Sequence, residues 1–145
     1  LEIGRKAGAT HVVNIRHDGA MGQLDEILGG RGADVVMECA GVPDALEMAI
    51  EIAGRNGRVA IEGSMGNDET IRIYPRRVLV KALQLIGICG WRTEDFNRAI
   101  CLMGASKVDV GLIITQHYGL DDWEQAFSMA TTRKDESIKI EFSLS

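Results

Sequence analysis

The stretch that most constrains the fold is residues 32–66, which predicts a strand, a helix and a second strand. The two strands, residues 35–37 and 59–61, are continuous apolar runs, as is typical of parallel strands that helices cover on both faces. Between them, Pro43 suits the first turn of a helix, where an N–H group has no intrahelical partner. A crossover helix of this kind makes the two strands parallel and the connection right-handed.

The predicted helix and the two strand ends suggest where a ligand would bind. The helix carries one apolar stripe, made of Leu46, Ala49, Ile50 and Ala53. Each strand ends in a loop that contains glycine, Cys-Ala-Gly at residues 39–41 and Gly-Ser-Met-Gly at residues 63–66. Ligands of open α/β sheets bind against the carboxyl ends of the strands. The sequence therefore predicts a ligand site at these two loops.

The rest of the chain continues the alternation of helices and strands. Helices are predicted around residues 1–7, 18–28, 76–82, 93–103 and 121–130, and strands at residues 11–15, 69–74, 83–88, 112–118 and 138–144. Asp18, Thr93 and a capping box of Asp121 and Glu124 are predicted to begin three of the helices. The glycine-rich residues 29–32 follow a helix and precede a strand. A phosphate-binding loop has the opposite order, so this stretch favours a turn.

The strands change character near Lys107. The last strand alternates strictly, with Ile138, Ile140, Phe142 and Leu144 on one face and polar residues on the other. Such a strand has one solvated face, unlike the buried parallel strands before it. We therefore predict a change of domain at about residue 107, with the tail in a different sheet.

The chain begins with Leu1 rather than methionine, and residues 1–7 resemble the last turns of a helix. Arg5 and Lys6 suit a C-terminal turn and Gly8 suits the stop. We expect the chain to begin inside an element, with upstream sequence missing.

Charge and composition argue against several classes of function. The net charge is −5 with the signs interspersed, which disfavours a nucleic-acid partner. No apolar run approaches the roughly 20 residues that span a membrane. Cys39, Cys89 and Cys101 form no CxxC pair, which favours a reducing, cytoplasmic setting. The three histidines are scattered, and spacing assembles no zinc site.

Several stretches together resemble the C-terminal part of zinc-dependent medium-chain alcohol dehydrogenases, closest to the polyol and threonine dehydrogenase branch. They are GRKAGATHVVN (4–14), GGRGADVVMECAG (29–41), GRVAIEG (57–63), LQLIGICG (83–90), KVDVGLIITQHYGLDDWEQAF (107–127) and SIKI (137–140). The resemblance implies an α/β fold in which residues 1–107 form a partial Rossmann-like, doubly wound parallel sheet that lacks its first two strands. Residues 108–145 would return to a catalytic domain that the chain does not contain.

The resemblance also implies an activity for the parent protein. Family members transfer a hydride between a secondary alcohol, here a polyol or 3-hydroxy amino acid, and NAD(P). The zinc ligands and the phosphate-binding turn would lie in the missing part. The chain would then hold no catalytic residue and no metal ligand, and alone it would bind no cofactor tightly.

The resemblance carries cofactor-binding roles onto ten residues. Cys39, Ala40 and Gly41 would lie beside the adenosine half, Gly63, Ser64, Met65, Ile88, Cys89 and Gly90 beside the nicotinamide, and Lys139 at the pyrophosphate. The residues alone also allow simpler interpretations. Cys39 and Cys89 can be small buried side chains, and Lys139 can lie on the solvated face of its strand. His117 departs from the family, which usually has Thr-His without the intervening Gln116, and is interpreted as structural.

Two other hypotheses remain open. The chain could be an inactive fragment that self-associates, as a homodimer or homotetramer, through an apolar edge strand from Leu83 to Ile88. It could also be another doubly wound fold, such as a methyltransferase, although the alternating tail argues against this. The missing strands would leave a gap between residues 11–15 and 34–38. The first strand could move next to the central unit, another chain could fill the gap, or part of the chain could be disordered.

Overall fold

Two parallel sheets, one of three strands and one of two, organise the chain in the computed structural model. The structure describes residues 1–132 and 137–144. In chain order its helices and strands are α1 Glu2–Lys6, α2 Ala20–Ile27, β1 Ala33–Glu38, α3 Pro43–Ile52, β2 Ala53–Ile61, α4 Pro75–Lys81, β3 Gln84–Gly87, α5 Thr93–Gly104, β4 Ile114–Gly119, α6 Trp123–Thr132 and β5 Lys139–Ser143. Internal contacts define two units, Val13–Trp91 and a second unit of Leu1–Val12 with Arg92–Ser145.

The first unit contains the predicted strand–helix–strand element. Its sheet has the order β1-β2-β3, and both pairs of strands are parallel. Val36 lies opposite Val59, and Val59 lies opposite Leu85, so β2 is the central strand. Pro43 occupies the first turn of α3, as predicted. The α/β class and the parallel crossover are confirmed.

The start of β2 differs from the prediction. The strand begins at Ala53, directly after α3, and its pairing jumps from Ala33 opposite Ala53 to Val35 opposite Arg58. Residues 54–57 therefore bulge out of the strand, and Asn56 adopts a left-handed φ of 59°. The chain thus bends within the strand, whereas the sequence predicts a strand only at residues 59–61.

The core of this unit lies between α3 and the sheet. Leu46, Ala49 and Ile50 of α3 are buried together with three residues of the sheet side, Ala53, Val59 and Leu83. The predicted apolar stripe of α3 is therefore confirmed for Leu46, Ala49 and Ile50, whereas Ala53, predicted as its fourth member, lies after the helix as the first residue of β2. Burial of β1 on both faces is not found, because side chains alternate along a strand and α3 covers one face only. Val35 and Met37 point to the other face, where 48% and 61% of their surface is exposed.

Two predicted strands do not form. Residues 11–15 pair with no strand among the described residues, and the Asn14 side chain accepts the N–H of Arg16 at 3.1 Å to start a turn. Residues 69–74 likewise have no ladder partner in the part of the chain that the structure describes, and the N–H of Arg72 donates to the Glu47 carboxylate at 2.6 Å. The composition of residues 11–15 and the alternation of residues 69–74 favour strands, but such a stretch becomes a strand only where a neighbouring strand accepts its backbone hydrogen bonds.

The helices form where predicted, while the predicted caps are displaced. The residue before α2 is Gly19, with a φ of 84°, instead of Asp18. The residue before α5 is Arg92, whose N–H donates to Asp95 Oδ2 at 3.2 Å. A 3-10 turn, Leu120–Asp122, leads into α6 in place of the predicted capping box. Helix boundaries are less strongly encoded than helix faces, because several neighbouring polar residues can serve as a cap.

In the second unit, β4 and β5 form a parallel pair connected through α6. Along β5, Ile140 and Phe142 are half-buried and the intervening side chains are exposed, so the separate sheet is confirmed, and so is the predicted alternation within residues 139–143. Ile138 and Leu144, predicted on the same apolar face, lie outside β5 and are exposed. A 3-10 turn, Val110–Ile113, replaces the start of the predicted strand at 112–118. His117 Nδ1 lies 3.1 Å from Glu141 Oε2 across the ladder.

The apolar face of α5 is exposed. Phe96 and Ile100 keep 57% and 52% of their surface exposed, and α5 has no buried residue.

The contacts divide the chain after Trp91, whereas the sequence places the change near Lys107. The assignment of residues 108–145 to a catalytic domain stays a prediction. In the described part of the chain, every helix is too short or too polar to cross a membrane.

We predict that the first unit depends on the contact of α3 with the sheet. Leu46→Ala should lower the free energy of unfolding by about 2–5 kcal/mol, because Leu46 is 5% exposed and its loss leaves a cavity. Leu79→Ala, the same change at a residue that is 79% exposed, should alter it by less than about 0.5 kcal/mol. Urea unfolding followed by circular dichroism measures both, and equal effects would contradict the packing.

Candidate functional site

The candidate site is the edge where the carboxyl ends of the three strands of the first sheet meet. The carbonyl oxygen of Glu38, the last residue of β1, accepts the N–H groups of Glu62 and Gly63 at 3.0 and 2.9 Å. The carbonyl oxygen of Ile61, the last residue of β2, accepts the N–H of Ile88 at 2.9 Å. The loops after β1, β2 and β3 therefore begin side by side.

A buried carboxylate holds the first of these loops. Glu38 is 3% exposed, and its Oε1 atom accepts the N–H groups of Ala40 and Gly41 at 2.7 and 2.8 Å. Its Oε2 atom is buried and has no partner among the described residues. Hydrogen bonds to a charged acceptor are among the stronger ones in proteins, so the loop is fixed against its own strand end.

Glu38 is not among the residues predicted from the sequence. A polar residue after an apolar run is usually the exposed end of a strand. Its spacing from Val36 could have identified it. The two residues are two positions apart in β1, so their side chains point to the same face of the strand. A glutamate on a core-facing position needs hydrogen-bond partners, and the nearby glycine-containing loop provides them.

The loops at residues 39–41 and 63–64, which we call the paired loops, touch backbone to backbone. A Cβ atom on Gly63 would lie 2.2 Å from the N atom of Gly41 and 2.6 Å from Glu38 Oε2. A Cβ on Gly41, which has a φ of +69°, would lie 2.7 Å from the carbonyl oxygen of Ser64. Only glycine permits this approach at both positions. The structure thus brings together Gly41, Gly63 and Ser64 at one edge of the sheet.

Cys39, the first residue of the paired loops, is exposed, and so is Cys89. The interpretation of both as small buried side chains is therefore wrong. Cys39 comes directly after β1 and Cys89 two residues after β3, where the chain leaves the sheet. The Cys39 Sγ atom lies 3.6 Å from Glu62 Oε2. Partial burial of the thiol, its hydrogen bond to Glu62, and the charges of Glu62 and Glu38 raise the pKa of Cys39. The raised pKa keeps this group a neutral thiol, which suits a polar contact better than a nucleophile.

The remaining predicted residues have different surroundings. The Met65 side chain packs against the core, so a contact with a ligand would come from its backbone. Cys89 and Gly90 are exposed, and no atom lies within 4 Å of a Cβ added to Gly90. Lys139 belongs to the second unit, where it is exposed on β5 opposite Ile114.

The residues that the structure describes do not fit a zinc ion. Among them, no group of three His, Cys, Asp or Glu side chains could hold a metal. The zinc that the sequence resemblance implies is therefore given no place in the chemistry of this site.

A cleft of about 400 Å³ lies at the opposite end of the sheet, near the start of β1 and β2. There the Lys81 Nζ atom donates to the carbonyl oxygens of Glu51 and Ala53 at 2.7 and 2.8 Å, which satisfies one carbonyl group in the last turn of α3 and that of the residue after the helix. Burial and the charge of Arg77 lower the pKa of Lys81. Because this lysine is engaged by the helix end, and because ligands of open α/β sheets bind at the carboxyl ends, we place the candidate site at the paired loops.

We predict that Gly63→Ala opens the paired loops. The new Cβ would overlap the backbone of Gly41, and the free energy of unfolding should fall by at least about 1–3 kcal/mol. Gly22→Ala, in the middle of α2 with nothing within 4 Å of its Cβ position, should raise it by about 0.5–1 kcal/mol. Urea unfolding measures both. Stability unchanged by Gly63→Ala would contradict the close approach of the two loops.

Comparison with known proteins places this geometry in a family. The sequence model described as zinc-binding dehydrogenase matches residues 1–105. The sorbitol dehydrogenase of Bacillus subtilis is 31% identical over 140 residues, which are 97% of this chain and 39% of that protein. The L-threonine 3-dehydrogenase of Shewanella sediminis is 32% identical over 127 residues, 88% of this chain and 37% of that protein.

Solved structures agree with the sequence relatives. The benzyl alcohol dehydrogenase of Acinetobacter calcoaceticus superposes with a TM-score of 0.87 at 22% identity, over 100% of this chain and 40% of that one, which shows the fold alone. A zinc-binding dehydrogenase of Sinorhizobium meliloti, bound to NADP, superposes with a TM-score of 0.76 at 26% identity, over 88% of this chain and 37% of that one. The chain thus spans about two fifths of the length of the proteins it matches. The predicted resemblance and the Rossmann-like fold class are confirmed, and the chain belongs to the zinc-binding dehydrogenase family.

Proposed function

We propose that this chain supplies part of the nicotinamide-dinucleotide site of an oxidoreductase that transfers a hydride between a secondary alcohol and NAD or NADP. The observation that carries the proposal is the backbone contact of the paired loops at the carboxyl ends of β1 and β2. Relatives named as sorbitol and threonine dehydrogenases, and a related structure that holds NADP, support the choice of cofactor and reaction.

The residues of this chain would bind and orient the dinucleotide. Cys39, Ala40 and Gly41 form the loop proposed for the adenosine half, and Gly63, Ser64, Met65, Ile88, Cys89 and Gly90 are proposed for the nicotinamide half. Gly41 and Gly63 carry no side chain, and the opposite loop occupies each Cβ position, so these glycines hold the two loops together as one edge along which the dinucleotide would lie. Lys139 is proposed for the pyrophosphate, since it is a cation on the exposed face of β5. When bound, the dinucleotide supplies the hydride acceptor or donor.

The substrate we propose is a polyol or a 3-hydroxy amino acid, the substrates that the names of the sequence relatives indicate. Since the described residues hold no metal-binding group, the zinc ligands and the catalytic groups are proposed to lie elsewhere in the parent protein. In this proposal residues 1–107 belong to the nucleotide-binding domain and residues 108–145 to the catalytic domain. The cytoplasm is the proposed location, because all three cysteines are free and exposed.

A second candidate property is self-association through β3. This strand lies at the edge of its sheet, with β2 as its ladder neighbour. Leu85, Ile86 and Ile88 are 37%, 40% and 43% exposed. An exposed apolar edge strand is a template for pairing with another chain, and a two-fold axis would pair it with its own copy. We therefore propose a homodimer, or a homotetramer built from it, as the state of the parent protein.

The proposed reaction predicts two results that can be measured directly. The parent enzyme loaded with zinc should reduce NAD or NADP with at least one member of a panel of polyols and amino alcohols, followed by the absorbance of the reduced nicotinamide. The chain alone should bind NADH weakly or not at all in a fluorescence titration, because it offers one side of the site. Failure with the whole panel, or submicromolar binding by the chain alone, would overturn the respective prediction.

The edge-strand proposal predicts a dimer at micromolar concentration in sedimentation velocity. Ile86→Lys should convert it to a monomer, since a charged residue on an edge strand opposes strand pairing. Leu79→Lys, at an exposed apolar residue of α4, should leave the dimer intact. A monomer for the unmodified chain would count against the proposal.

A further inference from the structure

Glu38 is unusual because it is a buried acidic side chain at the end of a strand. It shares the core-facing side of β1 with Val36, which packs against the core. Glu38 has 3% of its surface exposed, and among the residues that the structure describes it is the one buried side chain that is polar or charged. Burying a carboxylate is costly unless hydrogen bonds compensate, so its partners explain why it is there.

The backbone and the side chain of Glu38 have different partners. The backbone carbonyl accepts the N–H groups of Glu62 and Gly63 and thus joins the end of β2 to the end of β1. The side-chain Oε1 accepts the N–H groups of Ala40 and Gly41 and thus holds the loop after β1. One residue therefore joins two strands through one acceptor and orders a loop through another, and a side-chain substitution separates the two roles.

The second carboxylate oxygen lies against the other loop. Glu38 Oε2 would be 2.6 Å from a Cβ on Gly63, so the carboxyl group fills the space between residues 39–41 and the backbone of Gly63. The length of the side chain matters, because removing one methylene withdraws the carboxyl by about 1.5 Å from both loops. The carboxyl group of Glu38 therefore sets the spacing of the paired loops.

We propose that Glu38 is a positioning residue for the dinucleotide site, which holds the loop at residues 39–41 in the conformation that binds the adenosine half. Glu38 touches no ligand and acts through the N–H groups of Ala40 and Gly41. The inference rests on the proposed function of the paired loops as a dinucleotide site. A purely structural role would instead make Glu38 important for stability and unimportant for cofactor affinity.

The first experiment measures amide hydrogen exchange by NMR in the full 145-residue chain. Glu38→Ala should speed exchange at Ala40 and Gly41 by about tenfold or more, because both lose a charged acceptor. Exchange at Glu62 and Gly63 should change much less, since the backbone carbonyl of residue 38 remains. Glu38→Gln should restore slow exchange at Ala40 and Gly41, because its amide oxygen can take the place of Oε1. Unchanged exchange at Ala40 and Gly41, or equal acceleration at all four amides, would overturn the proposal.

The second experiment measures kcat and KM for the dinucleotide in the parent enzyme. Glu38→Ala should raise KM for the dinucleotide about tenfold or more, with a smaller change in kcat, and Glu38→Gln should recover most of the loss. Glu38→Asp keeps the charge but shortens the side chain, and it should also raise KM for the dinucleotide. This variant tests the proposal if Glu38→Ala does not fold. Glu26→Ala, which removes an exposed carboxylate of α2, is the matched control and should leave both constants unchanged.

The outcomes separate this inference from the function on which it rests. If the amides of Ala40 and Gly41 respond and KM does not, Glu38 orders the loop without positioning a cofactor, and the inference is wrong while the proposed function stands. If the unmodified enzyme reduces neither NAD nor NADP, the proposed function fails, and the role of Glu38 toward a dinucleotide fails with it.

Discussion

The pairing of β2 with a strand on each side is the constraint on which the rest of the first unit depends. Glu38 lies opposite Ile61, and Ile61 lies opposite Gly87, so all three strands end at the same level of the sheet. The three loops that follow therefore leave the sheet side by side, and backbone hydrogen bonds join them. A slip of one residue in either pair would turn the side chains to the other face and separate the loops. The register of β2 with its two neighbours therefore places the loops of the candidate site side by side, independently of any polar side chain.

The same sheet is covered on one face by α3, and its other face is open. Val59 is fully buried between the two neighbouring strands and α3, whereas Val35 and Met37, on the opposite side of β1, are exposed. The chain spans 39% of the length of its sorbitol dehydrogenase relative, so the open face and the apolar edges belong to a chain that matches only part of that protein. A parallel sheet is normally covered by helices on both faces, whereas α3 covers one face of this sheet, which explains the exposure of Val35 and Met37 on β1.

The sequence predicted the features that depend on neighbouring residues better than those that depend on residues far apart in the chain. The unit from β1 to β2 was predicted because its strands, its helix stripe and its glycine turns are local patterns that agree with one another. Residues 11–15 and 69–74 show the limit, since the composition or alternation of a short stretch identifies a possible strand but not the strand with which it would pair. From the sequence, Gly41 and Gly63 could be assigned to the same edge of the sheet, but their backbone contact could not be predicted. The partners of Glu38 lie two and three residues away, yet its burial depends on the whole sheet.

A glutamate suits the end of β1 for reasons that connect the core to the binding edge. When the chain leaves the sheet after Glu38, the N–H groups of Ala40 and Gly41 lose the ladder that would have satisfied them. Water cannot replace the ladder where Gly63 approaches within contact distance of both Gly41 and the carboxyl group. A carboxylate oxygen can accept two N–H groups at once, which a hydroxyl or an apolar side chain on the same position could not do equally well. The close contact of the paired loops and the burial of a charge are therefore one arrangement, in which each explains the other.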